Sequence, residues 1–120
     1  SNDISSWKAF SDKYQFKTIY ILQPGIKWVD KKLTKKEIFI YENQRVHLGE
    51  TYYDKFMNKE IYLNHKNFLE QQCLKNNIDF IDSNKIFKSF PENEDLFSDL
   101  CHLTDQGNKY LADYLCKKYD

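Results

Sequence analysis

Glycine and proline are scarce in this chain: three glycines and two prolines in 120 residues. Extended irregular loops should therefore be few. Cysteine is scarce as well. Cys73, Cys101 and Cys116 are odd in number and form no Cys-x-x-Cys pair, which argues against a disulfide framework and against a zinc site. No apolar run approaches the roughly 20 residues that span a bilayer, so no membrane span is expected. The start, Ser1-Asn2-Asp3, is polar and has no look of a secretory signal. Charge of one sign is also missing: 18 Lys plus Arg balance 18 Asp plus Glu. A nucleic-acid binder usually carries a basic excess, and nucleic acid is not an expected partner. The one basic cluster, Lys31, Lys32, Lys35 and Lys36, reads as a solvated loop and helix start.

What is present in quantity is aromatic: nine Tyr, nine Phe and two Trp. Much of the core volume must come from these rings. The length suits a single domain over residues 1–120, able to bury roughly two-thirds of its unfolded surface.

Residues 5–14 place Trp7, Phe10 and Tyr14 at helical spacing, with Ser5 or Ser6 as a cap. Lys17 to Leu22 is β-branched and aromatic and closes on Gln23-Pro24-Gly25, a strand followed by a breaker. Its nearly continuous apolar character predicts cover on both faces. Thr34-Lys35-Lys36-Glu37 has the form of a capping box. Ile38 to Tyr41 also suits a short strand, and the helix is preferred. A long helical stretch follows from about Glu50 to Lys75, with Tyr53, Met57, Ile61, Phe68 and Leu69 as its inward stripe. His65 falls near that stripe and is given no role. Ile78 to Asp82 is a second short strand, and Ser83 to Ser98 reads as irregular or short helical turns. Thr104 caps a last helix whose Gly107, Tyr110, Leu111, Tyr114 and Leu115 share one face. Strands separated by helices predict parallel pairing in an α/β layer architecture. Two strands alone make a poor sheet, a hint that part of the fold lies elsewhere.

The chemistry is concentrated in Asp99-Leu100-Cys101-His102-Leu103-Thr104-Asp105-Gln106-Gly107. The loop follows the second strand, where open α/β sheets carry their sites. An Asp three residues before a His can fold its carboxylate onto the imidazole Nδ1–H. That fixes the tautomer, leaves Nε2 as an acceptor and stabilises the imidazolium. A histidine held this way is a general base for a hydroxyl nucleophile. Asp99 and His102 are thus the candidate catalytic residues. Cys101, between them, is expected to face away from His102 as a small packed side chain.

The longer pattern Asp-x-x-His-Leu-Thr-x-x-Gly-Asn-x-x-Leu-Ala-x-x-Leu, from Asp99 to Leu115, resembles the last block of the SGNH/GDSL serine hydrolases. Tyr20 to Pro24 and Ile78 to Asp82 look like two of that family's strands. The resemblance implies a parallel-sheet, flavodoxin-like three-layer α/β architecture, of which this chain holds the C-terminal half. It implies a Ser-Asp-His triad with Asp99 and His102 as members. It further implies an ester hydrolase of esterase, lipase or carbohydrate-deacetylase type, acting on a small ester or acylated glycan. No metal or other cofactor is implied.

The chain departs from the family where the nucleophile should be. No Gly-Asp-Ser occurs, and the family's oxyanion blocks are not intact. Ser83, Ser89 and Ser98 are near His102 in the chain, yet none sits on a strand-to-helix elbow. The expectation is a base-bearing portion whose nucleophile lies in a missing N-terminal half, with an exposed sheet edge or apolar face, or self-association, where that half docks. The alternative is a non-catalytic interaction or remnant module with a self-sufficient core.

Overall fold

The computed structural model describes residues 2–48 and 54–119. In chain order the elements are α1 (Asn2–Tyr14), β1 (Ile19–Leu22), α2 (Lys35–Leu48), α3 (Lys59–Lys75), β2 (Asp79–Asp82), a short α4 (Ser83–Ile86) running into a 3-10 turn (Phe87–Ser89), and α5 (Asp105–Tyr119). β1 and β2 pair in parallel, with Ile21 opposite Ile81. No helix among the described residues is long and apolar enough to cross a membrane.

The flavodoxin-like three-layer architecture expected from the resemblance does not form. The described residues hold one sheet of two four-residue strands, and helices dominate the chain. The reason lies in where the apolar residues go. Beyond β2 they build turns around an aromatic cluster instead of a further strand. Phe87 and Phe97 are fully buried with ring centroids 5.3 Å apart, and Phe90 stacks on Tyr110 at the same distance. A two-stranded sheet is too narrow to be sandwiched between helical layers and depends on the packing around it. Leu22 and Ile81 are buried in that packing, whereas Ile21 is 40% exposed. The expected cover on both faces of β1 is therefore absent along part of the strand.

The capping box settles Lys35–Leu48 as helix. The Thr34 hydroxyl accepts the Glu37 N–H at 3.1 Å, and Glu37 Oε2 accepts the Thr34 N–H at 2.9 Å. This reciprocal closure satisfies donors that a helix start leaves open. α3 begins later than its pattern suggests. Asn58 caps it by accepting the Glu60 N–H at 2.7 Å, and Tyr53 of the expected stripe lies outside the described residues. Its buried face carries Tyr62, Leu69 and Cys73, while Ile61 and Phe68 are exposed. Tyr62 sets this rotation: its hydroxyl bonds Asp82 and its ring stacks on Trp28 at 5.5 Å. α1 is likewise turned from expectation. It buries Ile4 and Ser11 and leaves Trp7, Phe10 and Tyr14 exposed.

Lys31 also differs from its solvated reading. Its side chain is fully buried against an equally buried Glu37, with Nζ 2.8 Å from Oε2. Glu37 Oε1 accepts the backbone N–H groups of Leu96 and Phe97 at 2.8 and 3.3 Å. One buried carboxylate thus ties the start of α2 to the segment that leads into residues 98–104.

Candidate active site

The loop from Leu96 to Thr104 closes on itself. Phe97 and Leu103 form an antiparallel bridge. The Thr104 N–H donates to Leu96 O at 2.9 Å, and the Ser98 N–H donates to His102 O at 3.0 Å. Thr104 then caps α5, its hydroxyl accepting the Gly107 N–H at 3.1 Å while donating to Asp95 O at 2.9 Å. Gly107 is needed at this junction: a Cβ there would lie 2.5 Å from Leu96 O.

A second set of bonds ties the loop to the carboxyl end of β1. The Gln23 side chain donates to Cys101 O at 2.9 Å, and the Ile26 N–H donates to Leu100 O at 2.9 Å. The buried Asn84 holds the same β1 extension by accepting the Gly25 N–H at 2.9 Å. The loop therefore sits just beyond the strand ends, the usual place for a site in a parallel sheet.

Within it, Asp99 is bonded on both oxygens. Oδ1 accepts the N–H groups of Cys101 and His102 at 2.9 and 2.8 Å, and Oδ2 lies 2.6 Å from His102 Nδ1. The structure thus brings Asp99 and His102 together. Partial burial pushes the Asp99 carboxyl up, but the two backbone N–H bonds and the His102 ring together hold it below the usual carboxylate range. An ionised Asp99 requires Nδ1 to carry the hydrogen, which leaves Nε2 as the acceptor. The His102 side chain is 70% exposed to solvent.

Cys101 does not point away. The turn made by Asp99 folds residues 99–102 back instead of extending them, and Cys101 Sγ comes to 3.9 Å from His102 Nδ1. Burial and the Asp99 charge push its thiol up, opposite to the shift that activates a cysteine nucleophile. Asp99, Cys101 and His102 each bring a donor atom within 4.8 Å of one another, a set that could hold a metal ion. The Asp99–His102 hydrogen bond and the raised thiol both compete with metal binding, because ligands must be deprotonated and available.

The three nearby serines are engaged away from the imidazole. Ser98 Oγ meets the carbonyls of His102 and Leu103, Ser83 bonds Leu22 O, and Ser89 bonds Ile86 O. Residues to which the sequence assigns no catalytic role also reach the site. A groove of about 320 Å³ beside His102 is lined by Ile21, Gln23, Asn108 and Leu111 among others. Across Ile21, Gln23 and Cys101 it adjoins a larger pocket of about 550 Å³ that includes Trp28 and His65. His65 had only a position near an apolar stripe to mark it. Gln23 was marked by its place at the end of β1.

No protein-family model matches the chain, and no curated protein matches it.

Proposed function

We propose that this chain is the base-bearing portion of a serine ester hydrolase related to the SGNH/GDSL enzymes. In this reading Asp99 orients His102, and His102 Nε2 takes the proton from a serine hydroxyl contributed from outside these 120 residues. The serine attacks the ester carbonyl, and the protonated His102 then gives its proton to the leaving alcohol. A small ester or an acylated glycan is the proposed substrate class. The observation that carries the reading is the 2.6 Å contact between Asp99 Oδ2 and His102 Nδ1 in a loop at the strand ends. The relation to the family rests on the Asp99–Leu115 block and does not extend to the three-layer architecture. An exposed Ile21 on β1, together with Trp7, Phe10 and Tyr14 on α1, provides the apolar surface that a docking portion needs.

A non-catalytic reading is favoured by one feature. Asp99 Oδ1 shapes the loop through two backbone hydrogen bonds, a role it fills whether or not His102 moves protons. Fluorophosphonate labelling of the full native protein separates the two. Serine labelling that is lost in a His102→Ala variant supports the hydrolase. A native protein that folds and never labels supports the module.

A further inference from the structure

Among the described residues, Asp99, Cys101 and His102 are the one group of three His, Cys or carboxylate side chains whose donor atoms all lie within 4.8 Å of one another. One oxygen, one sulfur and one nitrogen suit a borderline divalent ion such as Zn²⁺, with a further position left to water. No Cys-x-x-Cys pair marks the set, because its donors come from a single Asp-x-Cys-His turn. Zinc bonds nitrogen and oxygen at about 2.1 Å and sulfur at about 2.3 Å, so tetrahedral neighbours lie about 3.4 Å apart for N and O and about 3.6 Å apart for N and S. Here Nδ1 to Oδ2 is 2.6 Å and Sγ to Nδ1 is 3.9 Å. A small retreat of the carboxylate and a small turn of the ring meet the zinc values. The backbone that carries the donors is already fixed. Asp99 Oδ1 accepts the N–H groups of Cys101 and His102, Gln23 donates to Cys101 O, and the Ser98 N–H donates to His102 O. Binding therefore orders side chains alone, which lowers its entropic cost. His102 and Asp99 side chains are 70% and 34% exposed, which gives an ion its entry path.

We propose that Asp99 Oδ2, Cys101 Sγ and His102 Nδ1 form a reversible Zn²⁺ site. The ion enters between Nδ1 and Oδ2, in place of the hydrogen that joins them. That hydrogen relocates to Nε2, so the imidazole stays neutral. The Cys101 thiol releases its proton to solvent and binds as the thiolate. Competition from the Asp99–His102 bond and from the thiol proton lowers the affinity without changing the donor set. In the loaded state Nδ1 is on the metal and Nε2 carries the hydrogen, which leaves the ring no lone pair for a proton. Metal ligand and general base are thus exclusive states of His102. The metal site itself does not depend on the hydrolase reading.

The experiment is a titration of the reduced full native protein with Co²⁺, which reports a thiolate ligand through a charge-transfer band in the near ultraviolet. The native protein should show a saturable band that Zn²⁺ displaces. Cys101→Ser and His102→Ala should each lose it, while Cys116→Ser, at an exposed cysteine, should keep it. Far-ultraviolet circular dichroism checks that each variant is folded. Calorimetry with Zn²⁺ should show Cys101→Ser binding at least about 100-fold more weakly, since losing a ligand costs more than losing the outer partner of one. Nitrogen-15 spectra of His102 should pass from Nδ1–H to Nε2–H as Zn²⁺ saturates the native protein. Absence of the charge-transfer band, a band that survives in Cys101→Ser, or a His102 that keeps Nδ1–H at saturating Zn²⁺ overturns the proposal. Fluorophosphonate labelling of the metal-free protein tests the hydrolase reading separately, so the two fail as distinct outcomes.

Discussion

The carboxylate of Asp99 holds His102 twice, once through the backbone N–H at 2.8 Å and once through the ring Nδ1 at 2.6 Å. The first bond places the residue and the second turns its side chain. Asp99→Asn separates these functions. Asn retains an oxygen for the backbone N–H groups, so the turn should persist. It offers the ring an amide that can donate, which allows Nδ1 to become the acceptor and Nε2 to carry the hydrogen. Nitrogen-15 spectra of His102 should show the Nδ1–H tautomer in the native chain and a shift toward Nε2–H in the variant. Under the proposed hydrolase reading, the same change in the full-length protein should lower kcat by about four orders of magnitude, the size of effect known for a wrong triad tautomer.

Acid should weaken the loop in a defined direction. The folded-state pKa of Asp99 is lowered, because hydrogen bonds from Cys101 and His102 outweigh its partial burial. A carboxylate depressed in this way contributes stability that is present above the unfolded value of about 3.9 and is lost as pH falls through the folded value. Urea unfolding at pH 6 and at successively lower pH should show the native chain losing its advantage over Asp99→Asn below about pH 4. An advantage that stayed constant into strong acid would mean that the Asp99 carboxylate is not held by these bonds.

The sequence carries a legible signal where the chemistry is local. Thr34 and Glu37 are three residues apart and close a capping box; Asp99 and His102 are three apart and meet; Thr104 caps α5 and Gly107 lies beneath it. Rotation and sheet extent were not legible, because both depend on distant partners. Tyr62 takes the inward position on α3 through Trp28 and Asp82, which lie far from it in the chain. Trp7, Phe10 and Tyr14 have the spacing of a buried stripe, yet nothing in the described chain covers it fully. The three-layer sheet was inferred from a resemblance concentrated in one block, and two short strands do not extend it. Burial of Lys31 is not legible in the sequence because its counter-charge, Glu37, is also the acid of the capping box.

That buried pair should be costly to break. Lys31 and Glu37 are fully buried, and Glu37 also receives N–H groups from Thr34, Leu96 and Phe97. Glu37→Gln leaves an ammonium in the interior without its counter-charge. Removing one partner of such a pair costs about 3–5 kcal/mol, a large share of the roughly 5–15 kcal/mol that holds a domain together. The double variant Lys31→Met/Glu37→Gln removes the stranded charge and should recover part of that loss. Equilibrium urea unfolding of the two variants measures both quantities. If Glu37→Gln unfolds within about 1 kcal/mol of the native chain, well short of that cost, the pair contributes little to the fold.

Gly107→Ala sets two effects of known sign against each other. Ala is favoured over Gly inside a helix by about 1 kcal/mol, so propensity alone predicts a more stable α5. The new methyl, however, would lie 2.5 Å from Leu96 O and 3.2 Å from Leu103 Cβ. The nearest atom is backbone, in a segment pinned by Glu37 and by the Thr104 N–H, so it cannot swing aside as a flexible side-chain tip would. Overpacking of this kind costs about 1–3 kcal/mol, and relief requires α5 to move away from the Leu96–Thr104 loop. The steric term should win. Gly107→Ala should lower Tm by several degrees, and the displacement should reach His102, visible as a change in its ring signals without any change in its own sequence neighbours. A rise in Tm with unchanged His102 signals would show that α5 and the Leu96–Thr104 loop are not in the close contact seen at Gly107.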